Sequence, residues 1–276
     1  MSKIGYLGPV GTFAEEAAQL YVKGRTEGLV GYTDIPELIM AVQEGSLDLA
    51  VVPVENALEG TVNITVDVLV HEVDIKIVGE IIIPIHHCLL TVPGIDLNDI
   101  RGVVSHPQAL AQCRKFLYAN FKGIPVHSSN STAAGAKEVI ESDTPLAAIG
   151  NRRAAEVFGL HISKEDIEDQ QGNCTRFIVL SKDGMKRSGV DKTSIVFTVD
   201  DEPGSLLHAL MIFAEHQINL NKIESRPMRT HLGQYLFFVD FEGHIEDEKV
   251  SNVIDLLKKR SIYFKHLGSY PRELSF

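Results

Sequence analysis

The stretch QGNCTRFIVL, Gln171 to Leu180, ends in an apolar run of the kind that fills a buried strand, yet it opens with Asn173, Thr175 and Arg176. An unpaired guanidinium at the mouth of a core strand is costly, so Arg176 must reach water or meet an anion. The same stretch decides the fold, because of what lies on either side of it. From Lys3 onward, short apolar runs alternate with helical patterns, the mark of an α/β domain with a largely parallel sheet. KIGYL (3–7) reads as a strand and TFAEEAAQLYVKG (12–24) as a helix, with Thr12 and Glu15 in capping-box positions and Gly24 as its stop. PELIMAVQEG (36–45) is a second helix and DLAVVPV (48–54) a buried strand.

The run IKIVGEIIIPIHHCLLTV (75–92) is too long for one strand and is broken at Pro84, so it reads as two strands crossing from one half to another. A second α/β set follows: RGVV, the helix PQALAQCRKFLYANF (107–121), the strand IPVH, the helix STAAGAKEVI, the strand LAAIG and the helix NRRAAEVFG. QGNCTRFIVL then returns the chain to the first half. Two lobes joined by two crossings predict a cleft, with lobes at roughly 1–80 plus 165–182 and at 81–164.

Beyond residue 182 the pattern changes. SKDGMKRSGVDK (181–192) is polar and aperiodic, and its residues 183–192 read as a linker. From 193 to 276 the order is strand TSIVFTVD, helix PGSLLHALMIFAEHQ, strands NLNKIESRP and QYLFFVDFEG, helix EDEKVSNVIDLLKKR and strand SIYFKHLGSYP. That βαββαβ order predicts a ferredoxin-like domain, whose small sheet leaves an edge for pairing with a second copy.

The 276 residues, 44% of them apolar, suffice for two cores. No apolar run is long enough for a membrane span and the N-terminus shows no signal-peptide pattern, which predicts a cytoplasmic protein. A net charge of −11 argues against a nucleic-acid partner, but not against an anionic small ligand met by local donors. Cys88, Cys113 and Cys174 are too scattered for disulfides or zinc, and His86, His87 and Cys88 stand close together without a further pair of ligands. No metal is expected.

In open α/β sheets ligands bind beyond the carboxyl ends of strands. The exits here are GPVGTF (8–13), where glycines permit close backbone approach; PVENALEG (53–60), with Glu55 and Asn56; SHPQALAQC (105–113), where Ser105 can cap the helix and Gln108 and Gln112 share a face; and GNRRAAE (150–156). Hydroxyls, side-chain amides and free backbone amides at successive exits, with Arg176, describe a pocket for carboxylates. GxSxG, GxGxxG and P-loop motifs are all absent, so covalent acyl transfer and nucleotide chemistry are not indicated.

GPVGTFAEEAA, PVENALEG, SHPQALAQC, NSTAAGA and GNCTRF, in this order and spacing, resemble the signature segments of prephenate dehydratases, and GSLLHAL with NLNKIESRP resembles the regulatory ACT domain of that family. The resemblance implies a catalytic domain of two lobes in the style of periplasmic binding proteins (1–182) followed by the ACT domain. It implies decarboxylative dehydration of prephenate to phenylpyruvate, without cofactor, in phenylalanine synthesis. The catalytic residues it implies are Thr175, Arg176, Glu55, Asn56, Ser105 and Gln112, with Gly11, Thr12, Phe13, Asn173 and Phe177 around the substrate. L-Phenylalanine would bind between paired ACT domains, in a homodimer or homotetramer, against Gly204, Ser205, Leu206 and Leu207, Asn219 and Leu220, and the facing Glu224, Ser225, Arg226 and Pro227. Ala57 departs from the family's usual hydroxyl residue, a loss that Thr61 could make good. Arogenate dehydration and non-catalytic amino-acid sensing are the competing readings, whereas a chorismate mutase fusion is disfavoured by a first strand that starts near Lys3.

Overall fold

The computed structural model describes residues 2–23, 28–228 and 235–272; the helix stop expected at Gly24 and the strand start expected at Gln234 lie outside them. The chain opens with β1 (Ile4–Leu7), α1 (Phe13–Tyr21), β2 (Leu29–Tyr32), α2 (Ile35–Glu44), β3 (Leu49–Asn56), the two-residue β4 (Gly60–Thr61), α3 (Asn63–His71) and β5 (Lys76–Pro84). The predicted break at Pro84 is where β5 ends. After it come β6 (Cys88–Thr91), β7 (Gly102–Ser105), α4 (Pro107–Gln112), α5 (Arg114–Asn120), β8 (Val126–Ser128), α6 (Thr132–Glu141), β9 (Leu146–Gly150), α7 (Arg152–Phe158) and β10 (His161–Lys164). β11 (Cys174–Ser181) then rejoins the first sheet, whose order is β2-β1-β3-β11-β5 with β4 paired to β3. The second sheet runs β10-β6-β9-β7-β8. This is the mixed α/β, two-sheet arrangement that the crossings at Pro84 and at Asn173 predict.

The structure departs from expectation at one helix and adds another. The helix over 107–121 is broken at Cys113, whose backbone (φ −112, ψ 21) leaves the helical region and separates α4 from α5. α3 is rich in β-branched residues that favour strands, but Val66, Val68, Leu69 and Val70 are buried, and all-round burial overrides that propensity.

The C-terminal elements β12 (Asp191–Thr198), α8 (Ser205–Glu215), β13 (Leu220–Pro227), β14 (Tyr235–Glu242), α9 (Glu248–Arg260) and β15 (Phe264–Pro271) form the expected ferredoxin-like fold, with strand order β13-β14-β12-β15. Its core sets Ile195 and Phe197 of β12 and Val239 and Phe241 of β14 against Phe213 of α8 and Val253 and Leu257 of α9.

The chain divides into two compact units. One comprises Met1–Leu38, Val51–Val62 and Ile81–Phe177, and contains the second sheet together with β1, β2, most of β3, the carboxyl end of β5 and the amino end of β11. The other comprises Ile39–Ala50, Asn63–Glu80 and Ile178–Phe276. In this second unit α3 is held at both ends by the C-terminal domain. Arg226 reaches Asp67 at 3.0 Å and the carbonyl of Asn63 at 3.1 Å. Lys265 donates to the carbonyls of Leu69 and Val70, and the Tyr263 hydroxyl also donates to Val70. Lys192 meets both carboxylate oxygens of the fully buried Glu80 at 2.8 Å.

Candidate active site

A cleft of about 320 Å³ lies wholly within the first unit. Leu7 and Gly8 at the exit of β1, Thr12 and Phe13 at the start of α1, Pro53 and Asn56 on β3, Ile85 and His87 line it. His106, Gln108 and Gln112 of the α4 segment, Asn130, Ser131 and Thr132 at the start of α6, and Asn173, Thr175 and Phe177 also line it. Neither lysine nor arginine is among the described lining residues.

Positive potential comes from the backbone instead. The residues that cap α1, α4 and α6, namely Thr12, His106 and Ser131, all line the cleft, so three helix starts open onto it, although α4 begins with Pro107, which has no amide hydrogen to offer. Ser131 Oγ accepts from the amide of Ala134 at 2.9 Å. His106, and not Ser105, caps α4, its Nδ1 accepting from the amide of Gln108 at 3.4 Å. The cap expected at Ser105 fails because Ser105 still belongs to β7; fully buried, its hydroxyl donates to the carbonyl of Ile149 at 2.6 Å and ties β7 to β9.

Thr175 is at the centre of the polar wall. Its Oγ1 accepts from Asn56 Nδ2 at 2.9 Å, while Asn56 Oδ1 accepts the amides of Leu58 and Glu59 at 3.0 and 3.1 Å. The Asn56 amide is thereby fixed in orientation, and the Thr175 hydroxyl proton remains to be donated. Along β11 successive side chains alternate in direction, so Thr175 and Phe177 face the cleft while Arg176 does not line it. Arg176 lies 3.8 Å from Glu55, which also does not line the cleft. The charge at the mouth of the strand therefore meets an anion of the protein itself.

Gly11 does not line the cleft either. It adopts φ +89 where a Cβ would press on Ala154 and Phe158, and its amide donates to the buried Glu15 at 2.6 Å. Glu15 thus bonds Gly11, not the backbone of the capping Thr12 as a capping box requires, and Arg153 of α7 holds it at 3.1 Å. Of the residues proposed from sequence, the fold gathers Thr175, Asn56, Gln112, Asn173, Thr12, Phe13 and Phe177 at the cleft and leaves Glu55, Arg176, Ser105 and Gly11 outside its lining.

Sequence reasoning missed His87, His106 and the trio Asn130, Ser131 and Thr132 as cleft residues. The trio opens the NSTAAGA segment, so its place was signalled. His87 is 3% exposed, sits edge-on to Phe13 at 6.1 Å and is held below the usual histidine pKa by burial. Burial pushes the Cys88 thiol up to about 11 and raises that of Cys113 further, which suits neither to nucleophilic work. His86, Asp166 and Glu168 form the one group of potential metal ligands among the described residues, with His86 Nδ1 already 3.1 and 3.0 Å from the two carboxylates.

In the C-terminal domain Gly204, in the left-handed region at φ +90, caps α8 without a side chain; Leu206 packs on the core and Leu207 is exposed. Asn219 donates to Glu242 at 3.3 Å, immediately before Leu220 begins β13. Glu224, Ser225, Arg226 and Pro227 alternate between half-buried and exposed along β13, an edge of the sheet, and Glu224 pairs with Lys222 at 3.5 Å. No described helix is long and apolar enough to cross a membrane.

Residues 4–185 match the prephenate dehydratase family and residues 193–255 the ACT domain. A bifunctional chorismate mutase/prephenate dehydratase of Aquifex aeolicus is 42% identical over 99% of this chain and 74% of its own length. The prephenate dehydratase of Bacillus subtilis is 40% identical over 97% of this chain and 98% of its own. The crystal structure of a prephenate dehydratase from Arthrobacter aurescens in complex with L-Phe is 35% identical and superimposes with a TM-score of 0.90 over 98% of this chain and 90% of that one. With a dehydratase segment, an ACT segment and relatives of this closeness along its whole length, the chain is an enzyme of the prephenate dehydratase family.

Proposed function

We propose that the protein converts prephenate to phenylpyruvate, carbon dioxide and water, and that L-phenylalanine bound to the C-terminal domain regulates it. The observation that carries the catalytic reading is the Thr175 hydroxyl. It accepts from Asn56, keeps its proton to donate, and stands in a cleft on which three helix N-termini converge.

Prephenate is a dianion with a ring hydroxyl. When its ring carboxylate leaves as carbon dioxide, the electron pair passes through the ring and expels hydroxide, which needs one proton to depart as water. Aromatisation drives the change, so the protein has to hold the dianion and assist that departure. The amides at the starts of α1 and α6, with Thr12, Gln112 and Asn173, hold the carboxylates; Phe13 and Phe177 supply apolar wall; Thr175 donates to the leaving oxygen directly or relays a proton to it. Glu55 and Arg176 act from behind the cleft lining, as a pair beside Thr175 and Asn56. Ser105 supports the site through β7, and Gly11 through the turn that leads into α1.

For the effector the support is the ACT match and the L-Phe complex of the Arthrobacter aurescens relative. Gly204 to Leu207, Asn219 and Leu220 would receive the amino acid, faced by Glu224 to Pro227 of a second copy.

Phenylpyruvate formation from prephenate, and separately from arogenate, each with and without phenylalanine, tests the reading. Turnover of prephenate suppressed by phenylalanine is expected. Turnover of arogenate alone would reassign the substrate, and phenylalanine binding with no turnover of either would make the protein a sensor.

A further inference from the structure

Gln112 lines the cleft, and its carboxamide is held on both sides. Its Oε1 lies 2.9 Å from His87 Nε2 and 3.3 Å from Asn173 Nδ2, while its Nε2 lies 3.4 Å from Glu59 Oε1. A carboxylate only accepts hydrogen bonds, so the amide's NH₂ group belongs on the Glu59 side and its oxygen on the other. His87 Nε2 must then carry the hydrogen. In a neutral ring that leaves a lone pair on Nδ1, which is buried without a partner; a bare lone pair there is easier to accommodate than an N–H with nothing to donate to. Burial also disfavours the imidazolium. The ring has little freedom to turn: the His87 amide donates to Glu168 at 2.9 Å, its carbonyl accepts from Ile167 at 3.0 Å, and Phe13 packs against its face or edge at 80°.

We propose that His87, as the neutral Nε2–H tautomer, is a positioning residue that locks the polarity of the Gln112 carboxamide, so that Gln112 presents NH₂ and not oxygen to a carboxylate of the substrate. A carboxamide has nearly the same shape when flipped, and the flipped form would set an oxygen against a dianion. Two donors on Oε1 oppose that flip, each of which would be lost by it. One hydrogen of the NH₂ group is directed to Glu59 and the other is left for the ligand. The inference rests on the dehydratase reading for the identity of the anion, and on the hydrogen-bond geometry for the tautomer.

The test uses the full-length protein. His87→Leu removes the donor at similar volume, and His87→Gln carries an N–H to about the place of the imidazole Nε2. KM for prephenate should rise about tenfold or more in His87→Leu, the scale of a hydrogen bond to a charged group, and should return most of the way in His87→Gln. Gln112→Leu should raise KM to a similar degree, and the double variant His87→Leu/Gln112→Leu should add little to either. Equal losses in His87→Leu and His87→Gln, or additive losses in the double variant, would overturn the proposal. Should His87→Leu not fold, the comparison of wild type with His87→Gln and Gln112→Leu still decides it. ¹⁵N NMR of the histidine rings reads the tautomer without any turnover: Nε2 protonated and Nδ1 bare is expected for His87, and an Nδ1–H tautomer refutes the lock. Failure of wild type to act on prephenate would refute the dehydratase reading and leave the NMR result standing.

Discussion

Replacing Thr175 with valine keeps shape and volume but deletes the hydroxyl, and two separate losses follow from the geometry. The first is catalytic. A single preorganised donor aimed at a developing negative oxygen is worth about 3–4 kcal/mol, so kcat should fall roughly 10²- to 10³-fold. The second is structural: Asn56 Nδ2, which donates to Thr175 Oγ1 at 2.9 Å in a buried site, loses its acceptor. An orphaned buried donor costs about 1–3 kcal/mol. For a chain of this size each kcal/mol lowers Tm by roughly 2–4 °C, so thermal unfolding should shift by several degrees and stay cooperative. Steady-state phenylpyruvate formation gives kcat and calorimetry gives Tm. Thr175→Ser restores the hydroxyl and should recover most of both. Asn56→Ala combined with Thr175→Val should be little worse than Thr175→Val alone if Asn56 works mainly by orienting that hydroxyl. A near-normal kcat in Thr175→Val, or equal losses in the valine and serine variants, would refute the reasoning.

Arg176→Lys keeps the charge facing Glu55 behind the cleft lining and should leave KM for prephenate close to wild type; a large rise would bring the guanidinium into substrate binding. His266, 3.1 Å from Ser269, has its pKa lowered to about 4 by burial and by Lys76 and His244, against 6.5 for the free side chain. The unfolded chain therefore takes up this proton first, and stability is lost as pH falls from 6.5 towards 4, by at most about 3 kcal/mol. Denaturant unfolding at pH 7 and pH 4.5 should show the loss, and His266→Gln should flatten it; an unchanged slope in the variant refutes the assignment. Asp67→Asn weakens the 3.0 Å pair with Arg226 in the middle of α3. It should leave kcat/KM unaltered while reducing the inhibition reached at saturating phenylalanine, on the scale of about 1 kcal/mol of coupling. An identical phenylalanine response would exclude the pair as a link.

The alternation of runs and helices around QGNCTRFIVL was enough to read two α/β lobes, because burial on both sheet faces leaves apolar strands that amphipathic helices separate. The ferredoxin-like order was equally plain. What could not be read was which of two adjacent strand residues faces inward. Thr175 and Arg176 are neighbours in sequence, and the pleat sends only the first to the cleft. The Ser105 cap failed for a similar reason, since β7 runs one residue further than the pattern suggested and hands the cap to His106. The break at Cys113 has neither proline nor glycine to announce it. The β-branched residues of NITVDVLVH (63–71) speak for a strand, and only the burial of Thr65 to Val70 makes sense of the helix α3. In sequence His87 stands out only beside His86 and Cys88, and its bond to Gln112, 25 positions away, is a tertiary fact.

α3 sits in sequence within the dehydratase segment, yet Arg226, Tyr263 and Lys265 of the ACT domain grip its two ends and Lys192 neutralises the buried Glu80 just beyond it. For protein engineering this sets the unit of exchange. A chimera that grafts another relative's regulatory domain just ahead of β12 would part these partners and strand a carboxylate in the interior. A transplant that carries residues 63–80 along with the C-terminal domain keeps lock and key together, and is the version that should yield a folded hybrid.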